Sequence, residues 1–194
     1  MNMKFIVRLY ISIYIAIAFS ACAKPTVDVC FTPGGNCTSA IIHEIEQART
    51  EILIQAYSLT SRPIADAVAK AREAGVSVEI IFDLSDDFAR NSASYGSSFK
   101  GIPIYLDAQH AIADNNIIIV DKATVATGSF KFTEKAEGKN ASNLLIIKSS
   151  TLVAAYVDNW HQHKKHSVEY KKNGQYKDEK KEPGKKRKES QVGQ

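Results

Sequence analysis

Short apolar runs separated by polar turns divide the chain between residues 26 and 164 into segments of strand and helix length. Runs that alternate or are rich in β-branched residues predict strands, and apolar positions that recur every three or four residues predict helices. Residues 86–100 are polar and rich in serine, which predicts a weak helix or a loop. The predicted strands are 27–31, 51–57, 76–82, 102–106, 117–120, 124–126 and 143–148, and the predicted helices are 38–50, 62–74 and 152–163.

The order of these segments predicts the fold class. Strands and helices alternate over the first half of the chain, which is typical of a sheet whose strands are joined by right-handed helical crossovers. Thr38 or Ser39 is expected to cap the first helix, and Pro63 and Gly75 mark the start and end of the second. We therefore expect an α/β fold in which helices flank a mixed β-sheet, and the sequence contains no internal repeat.

The charge is concentrated at the two ends of the chain. The 194 residues carry a net charge of +4, yet residues 171–194 hold nine Lys and Arg against four Asp and Glu, a net +5. This tail has no apolar face, so we expect residues 171–194 to be a disordered basic tail. Such a tail can attract nucleic acid or anionic phospholipid in a salt-sensitive manner, although many tails of this kind only solubilise.

The N-terminal segment predicts export. Lys4 and Arg8 precede an apolar run, 9–19, that is shorter than the roughly 20 residues a membrane-spanning helix needs. Ala21-Cys22-Ala23 fits cleavage after Ala23, which makes 1–23 a signal peptide. The sequence before Cys22 also resembles a lipoprotein signal, which would leave the protein anchored through a lipidated Cys22. Either route predicts a periplasmic or secreted protein.

Two cysteines remain after that segment. Cys30 and Cys37 flank a short loop that contains Pro33-Gly34, and an oxidising compartment would join them in a disulfide. For so short a loop the disulfide would contribute about 2 kcal/mol. A zinc site at this pair is not expected, because no second cysteine pair supplies the other ligands.

The chemistry is predicted at residues 106–133. The apolar run 117–120 ends at Asp121, and a short hairpin leads to Gly128-Ser129. This stretch resembles the phospholipase D superfamily motif, His-x-Lys-x4-Asp followed by Gly-Ser-x-Asn, in the small bacterial endonuclease branch. Three positions depart from it: Asp114 occupies the His slot, Asn116 the Lys slot and Lys131 the late Asn slot.

Other parts of residues 27–165 carry the same resemblance. They include Cys30-Phe31-Thr32-Pro33, Gln55-Ala56-Tyr57-Ser58 and Asn159-Trp160. Ser142, however, stands where this branch usually has a Glu. The resemblance implies that residues 24–170 form a phospholipase D-like domain and that chains with a single motif pair as homodimers. It also implies hydrolysis through a phosphohistidine, without metal or cofactor.

The substitutions predict a loss of that chemistry. In the family the His attacks phosphorus, while Lys and Asn hold the phosphoryl oxygens. Asp114 would repel a phosphodiester and is a poor proton donor at neutral pH. His110 lies four residues before the His slot, about 13 Å away along an extended chain at ~3.3 Å per residue. We keep Asp121 and Ser129 as site residues inherited from the motif.

The histidines near the C-terminus are candidate ligands for a metal ion. The spacings of His161, His163 and His166 do not place all three on one helix face, and Glu169 is the nearest carboxylate in sequence. We therefore expect a solvated helix end and no metal.

The sequence thus predicts a phosphodiesterase or endonuclease by ancestry with absent or severely impaired activity. The alternative is an exported protein that binds nucleic acid, phospholipid or an active homologue without cleaving it. A third reading is a decayed gene product with no present activity.

Overall fold

The computed structural model describes residues 24–85, 88, 91, 95 and 97–171. The expected signal segment with Cys22, and the basic tail after Lys171, lie outside the described residues. In the described part of the chain the strands are β1 (Thr26–Thr32), β2 (Glu51–Ala56), β3 (Ser77–Asp83), β4 (Ile104–Asp107), β5 (Ile117–Val120), β6 (Thr124–Thr127), β7 (Ser142–Lys148) and β8 (Val168–Glu169). The helices are α1 (Cys37–Glu46), α2 (Arg62–Glu73), α3 (Glu134–Gly138) and α4 (Ser150–His166).

All of these strands form one mixed sheet in the order β1-β7-β6-β5-β2-β3-β4-β8. The pairs β2–β3 and β3–β4 are parallel, and the remaining neighbours are antiparallel. The parallel part coincides with the strand–helix alternation of the sequence, as helical crossovers require. The expected mixed sheet flanked by helices is confirmed.

Helices cover both faces of the sheet. On one face α1 and α2 pack their isoleucine and valine side chains against the inward positions of β2 and β3. On the other face α4 packs Val153, Val157 and Trp160 against Leu53 and its neighbours. Trp160 is fully buried, and its indole N–H donates to the Ile54 carbonyl at 2.9 Å. The central strands are therefore buried on both sides, which explains their continuous apolar runs.

The disulfide and the end of α2 agree with the local expectations, whereas the cap of α1 does not. Cys30 and Cys37 form the expected disulfide, with Cα atoms 5.7 Å apart. Gly75 follows α2 with φ of 94°, as expected for a helix stop. The expected cap of α1 was wrong: the helix begins at Cys37, so neither Thr38 nor Ser39 precedes it, and Asn36 is its N-cap.

The polar segment 86–100 is helical at the described positions 88, 91, 95 and 97–98. Phe88, Tyr95 and Phe99 are buried there, and the Tyr95 ring stacks on Phe82 with centroids 4.5 Å apart. Within the described residues, no helix has both the length and the apolar character that crossing a bilayer requires.

Candidate functional site

Four of the motif residues, Asp114, Asn116, Ser129 and Lys131, lie where the parallel strands β2, β3 and β4 end. Because β5 runs antiparallel to β2, with Gln55 opposite Ile117, the start of β5 lies at this same edge. Because β6 runs antiparallel to β5, with Ile117 opposite Thr127, the end of β6 also lies there. The residues just before β5 and just after β6 are thereby brought together.

The three substituted slots form one bonded group. Asp114 Oδ1 accepts a hydrogen bond from Asn116 Nδ2 at 3.1 Å and lies 3.3 Å from Lys131 Nζ. Lys131 Nζ also lies 4.5 Å from the centre of the Tyr57 ring, a cation–π contact. The side chains of Asp114 and Lys131 are 45% and 39% exposed. The charges of Asp114 and Lys131 therefore offset each other at the mouth of the site.

Asn116 is buried below this ion pair. The residue is 6% exposed, and its Oδ1 has no hydrogen-bond partner among the described residues. The Nε2 of the fully buried Gln55 also lacks a partner there. Buried polar atoms are rarely left unpaired, and those that are tend to occur at functional sites. The base of the site thus keeps an amide lining where the family resemblance places a charged lysine.

The turn after β6 is held by Asn143. Ser129 Oγ accepts from the Asn143 N–H at 3.1 Å, and the Phe130 N–H donates to the Asn143 carbonyl at 3.0 Å. Gly128 has φ of 153°, and a Cβ there would lie 2.3 Å from the Asn143 oxygen. Glycine is required for this close approach. Ser129 therefore lies at the site edge and also fastens the turn to β7.

Asp121 does not belong to this group. It follows β5 at the opposite end of the strand and accepts hydrogen bonds from the backbone N–H groups of Arg49, Thr50 and Glu51 at 2.8 to 3.0 Å. Burial disfavours its charged form, but these donors and the Thr50 hydroxyl outweigh burial and hold the pKa of Asp121 below its usual range. These contacts fix the start of β2, at the end of β5 opposite to the substituted slots.

A second polar cluster lies at the same sheet edge, where β4 ends. Asp107 is buried, and its Oδ2 lies 2.9 Å from His110 Nδ1, 2.9 Å from His163 Nδ1 and 3.2 Å from His166 Nε2. Burial opposes ionisation of Asp107, but the contacts with His163, His110 and His166 and the N–H of Gln109 keep its pKa far below the usual range.

Sequence reasoning missed this cluster. The expectation of a solvated helix end was wrong for His163 and His166, because both are partly buried against Asp107 rather than near Glu169. Of these three histidines, His161 alone is exposed. A signal was present in the sequence: Asp107 and His110 are three residues apart, as are His163 and His166.

Comparison with known proteins agrees with this fold and site edge. Residues 41–164 match the family described as "Cardiolipin synthase, PLD-like domain". The chain is 36% identical over 143 residues to a phospholipase D of Rickettsia prowazekii, covering 74% of this chain and 70% of that protein. It is 28% identical over 131 residues to the mitochondrial cardiolipin hydrolase of Canis lupus familiaris, of which it covers 51%.

Solved structures give the same assignment. Nuc of Salmonella typhimurium, a phospholipase D family member, superposes with a TM-score of 0.71 at 33% identity, covering 76% of this chain and 99% of that one. NucT from Helicobacter pylori has the same fold, with a TM-score of 0.68 at 21% identity. The strand order, the motif edge and these matches together place the chain in the phospholipase D superfamily, in its small single-domain branch.

Proposed function

We propose that this protein is a phospholipase D-like phosphodiesterase by ancestry whose hydrolytic activity is absent or severely impaired. The observation that carries the proposal is the Asp114–Lys131 ion pair with its Asn116 contact, which occupies the slots where the family resemblance places His, Lys and Asn. Because the fold around these slots is preserved, the proposed loss is confined to the side chains that would carry out hydrolysis.

The contacts of Asp114 explain why it is a poor substitute for a nucleophilic His. A carboxylate in this slot repels the anionic phosphodiester and is a poor proton donor to the leaving oxygen. Lys131, which replaces a neutral Asn, is 3.3 Å from that carboxylate, so its charge is offset before a phosphate arrives. Neither the nucleophile nor the phosphate-holding cation of the motif is supplied.

His110 does not restore the missing imidazole. Its Nδ1 is bonded to the buried Asp107, so the ring is held in the cluster at the end of β4. Effective covalent catalysis requires the reacting atoms at about 3–3.5 Å in a defined orientation. A ring held by another carboxylate is not presented to a phosphate at the position of Asp114.

Restoration of the motif tests this proposal. The purified parent, the Asp114→Ala control and the restored variants would be assayed with a chromogenic phosphodiester and with plasmid DNA in the presence of EDTA. The first restored variant carries Asp114→His with Asn116→Lys, and the second adds Lys131→Asn. The parent should hydrolyse these substrates no faster than the Asp114→Ala control does, whereas the restored variants should show turnover. Parent hydrolysis above that control would refute the proposal.

A second candidate function is non-catalytic binding of nucleic acid or anionic phospholipid. It is favoured by the net +5 charge of residues 171–194. Retention on DNA or on vesicles of anionic phospholipid should fall as salt rises and should be lost when residues 171–194 are deleted. Absence of retention at low salt would exclude this function.

We also propose that the chain forms a homodimer or pairs with an active homologue. Each chain has a single copy of the motif. Val27, Val29 and Phe31 on the edge strand β1 are 57%, 54% and 64% exposed, and a second chain would cover this apolar surface. Light scattering after size exclusion should give twice the chain mass. A monomer at micromolar concentration would contradict self-association.

Export to the periplasm or the medium is part of the proposal. It is supported by the positive and apolar N-terminal segment and by the Cys30–Cys37 disulfide, which persists in oxidising compartments. Mass spectrometry of the mature protein should find either an N-terminus at Lys24 or a lipidated Cys22. An uncleaved N-terminus in the native cell would contradict export by either route.

A further inference from the structure

We propose that Asp107, His110, His163 and His166 form a binding site for a divalent transition-metal ion of the zinc class. One potential ligand atom from each of these residues lies within 4.8 Å of the other three. The set is separate from the substituted motif slots, and the inference does not depend on the proposed function.

The ligand types select the class of ion. Three imidazoles and one carboxylate suit Zn²⁺ and neighbouring divalent ions, whereas Mg²⁺ and Ca²⁺ prefer sites made of oxygen atoms. Four protein ligands are also the number found around tetrahedral zinc. In the described part of the chain this is the group of residues that meets those requirements.

The spacing of the atoms fits a tetrahedral site after small ring movements. Zinc bonds of about 2.0–2.1 Å imply ligand atoms about 3.3 Å apart. The Oδ2 of Asp107 is already 2.9, 2.9 and 3.2 Å from the three ring nitrogens. Because no two of the four ligand atoms are more than 4.8 Å apart, the ring nitrogens need to approach one another by about 1.5 Å at most to reach that spacing.

A cation would also relieve the crowding around Asp107. Its Oδ2 faces three ring nitrogens, although one carboxylate oxygen has two lone pairs. His110 shares its contact with Oδ1, which accepts the Gln109 N–H as well. Without a metal ion, each of the three imidazoles contacts the Asp107 carboxylate through an N–H group. With a metal ion at the centre of the cluster, each imidazole instead donates a nitrogen lone pair to the metal.

The position of the cluster indicates what the ion would do. Asp107 and His110 belong to the end of β4 and the loop after it, whereas His163 and His166 lie on the last turns of α4. The same loop continues to Asp114, and Asn115 Nδ2 lies 3.4 Å from His163 Nε2. A bound ion would fasten this loop to α4 and so hold the edge that carries the motif slots.

Zinc titration of tag-free protein, first treated with chelator and dialysed, tests the site. Calorimetry should give one Zn²⁺ per chain, and Co²⁺ should produce the visible absorption of a four-coordinate complex. Zinc at about 100 times its Kd should raise the Tm by about 5–10 °C, while Mg²⁺ should not. A failure to bind either metal would overturn the proposal.

Variants assign the binding to these residues. His110→Gln changes an exposed loop residue, and His166→Gln changes a second ligand on α4. Each should weaken zinc binding more than about 10-fold, since even residues behind a metal ligand contribute that much. His161→Gln is the matched control, because His161 lies on the same helix and is exposed. Zinc affinity unchanged by both ligand variants, or lost equally in the control, would refute the assignment.

Discussion

Replacing Asp121 by asparagine should destabilise the fold by removing the charge that holds the start of β2. The carboxylate accepts hydrogen bonds from the N–H groups of Arg49, Thr50 and Glu51, and from the Thr50 hydroxyl, at 2.8 to 3.0 Å. Asparagine leaves one oxygen, so the N–H of Arg49 loses its acceptor. The other three bonds lose the added strength of an ionised acceptor.

The size of the effect follows from these contacts. Asp121 adopts φ of 51°, and asparagine tolerates this left-handed backbone, so the substitution isolates the loss of charge. A typical bond of this kind contributes about 1 kcal/mol net, and three of the four contacts are exposed to water. The expected loss is about 1–2 kcal/mol, or a fall in Tm of about 3–8 °C.

The dependence on pH identifies the mechanism. The pKa of Asp121 is lower in the folded chain, so its stabilisation is complete above the unfolded pKa of about 3.9. It is lost as the pH falls through the folded pKa. The stability gap between the parent and Asp121→Asn should therefore be constant from pH 5 to 7 and shrink below about pH 4.

Urea denaturation followed by the fluorescence of Trp160, the one tryptophan of the chain, measures this gap. The exposed Asp66 on α2 provides the matched control, since Asp66→Asn makes the same chemical change away from such a turn. A gap below about 0.5 kcal/mol, the usual size of surface effects, would refute the reasoning. A gap that persists unchanged down to pH 3 would do the same.

Four further substitutions test other contacts. Trp160→Phe removes an indole N–H that donates to a buried carbonyl of β2. Urea denaturation should therefore show that the free energy of unfolding falls by about 2–4 kcal/mol. Gly128→Ala places a Cβ 2.3 Å from the Asn143 oxygen and should lower the Tm by at least about 5 °C, whereas an alanine accommodated without loss would contradict the close approach. Asp114→Asn and Lys131→Met, singly and combined, should give a coupling energy below about 1 kcal/mol, because both side chains are partly exposed.

The elements that the sequence predicted well are those whose pattern is local. The run 117–120 was predicted with the bounds that β5 has, because a continuous apolar segment between polar residues leaves few alternatives. By contrast α3 (Glu134–Gly138) was missed, since five residues show too little periodicity, although Thr133 caps it through the N–H of Ala136. The two-residue strand β8 exists through its pairing with β4 and has no sequence pattern of its own.

The site shows the same division. The family motif assigned Asp114, Asn116 and Lys131 to one site around a hairpin, and these three side chains contact one another at one edge of the sheet. The cluster around Asp107 was not found, because His163 and His166 lie 56 and 59 residues away in sequence. Only the packing of α4 against the sheet brings them to the end of β4. Contacts between residues so far apart in sequence can be predicted only when the topology of the fold is known.

We propose that the scaffold is intact and that its hydrolytic chemistry was lost at the motif slots. The most direct test of this proposal is the rate of hydrolysis of a chromogenic phosphodiester by the parent and by the variant that carries Asp114→His, Asn116→Lys and Lys131→Asn. We predict no parent rate above that of Asp114→Ala and a clear rate for the restored variant. A parent rate well above that of Asp114→Ala, or a folded restored variant that stays inactive, would contradict the claim.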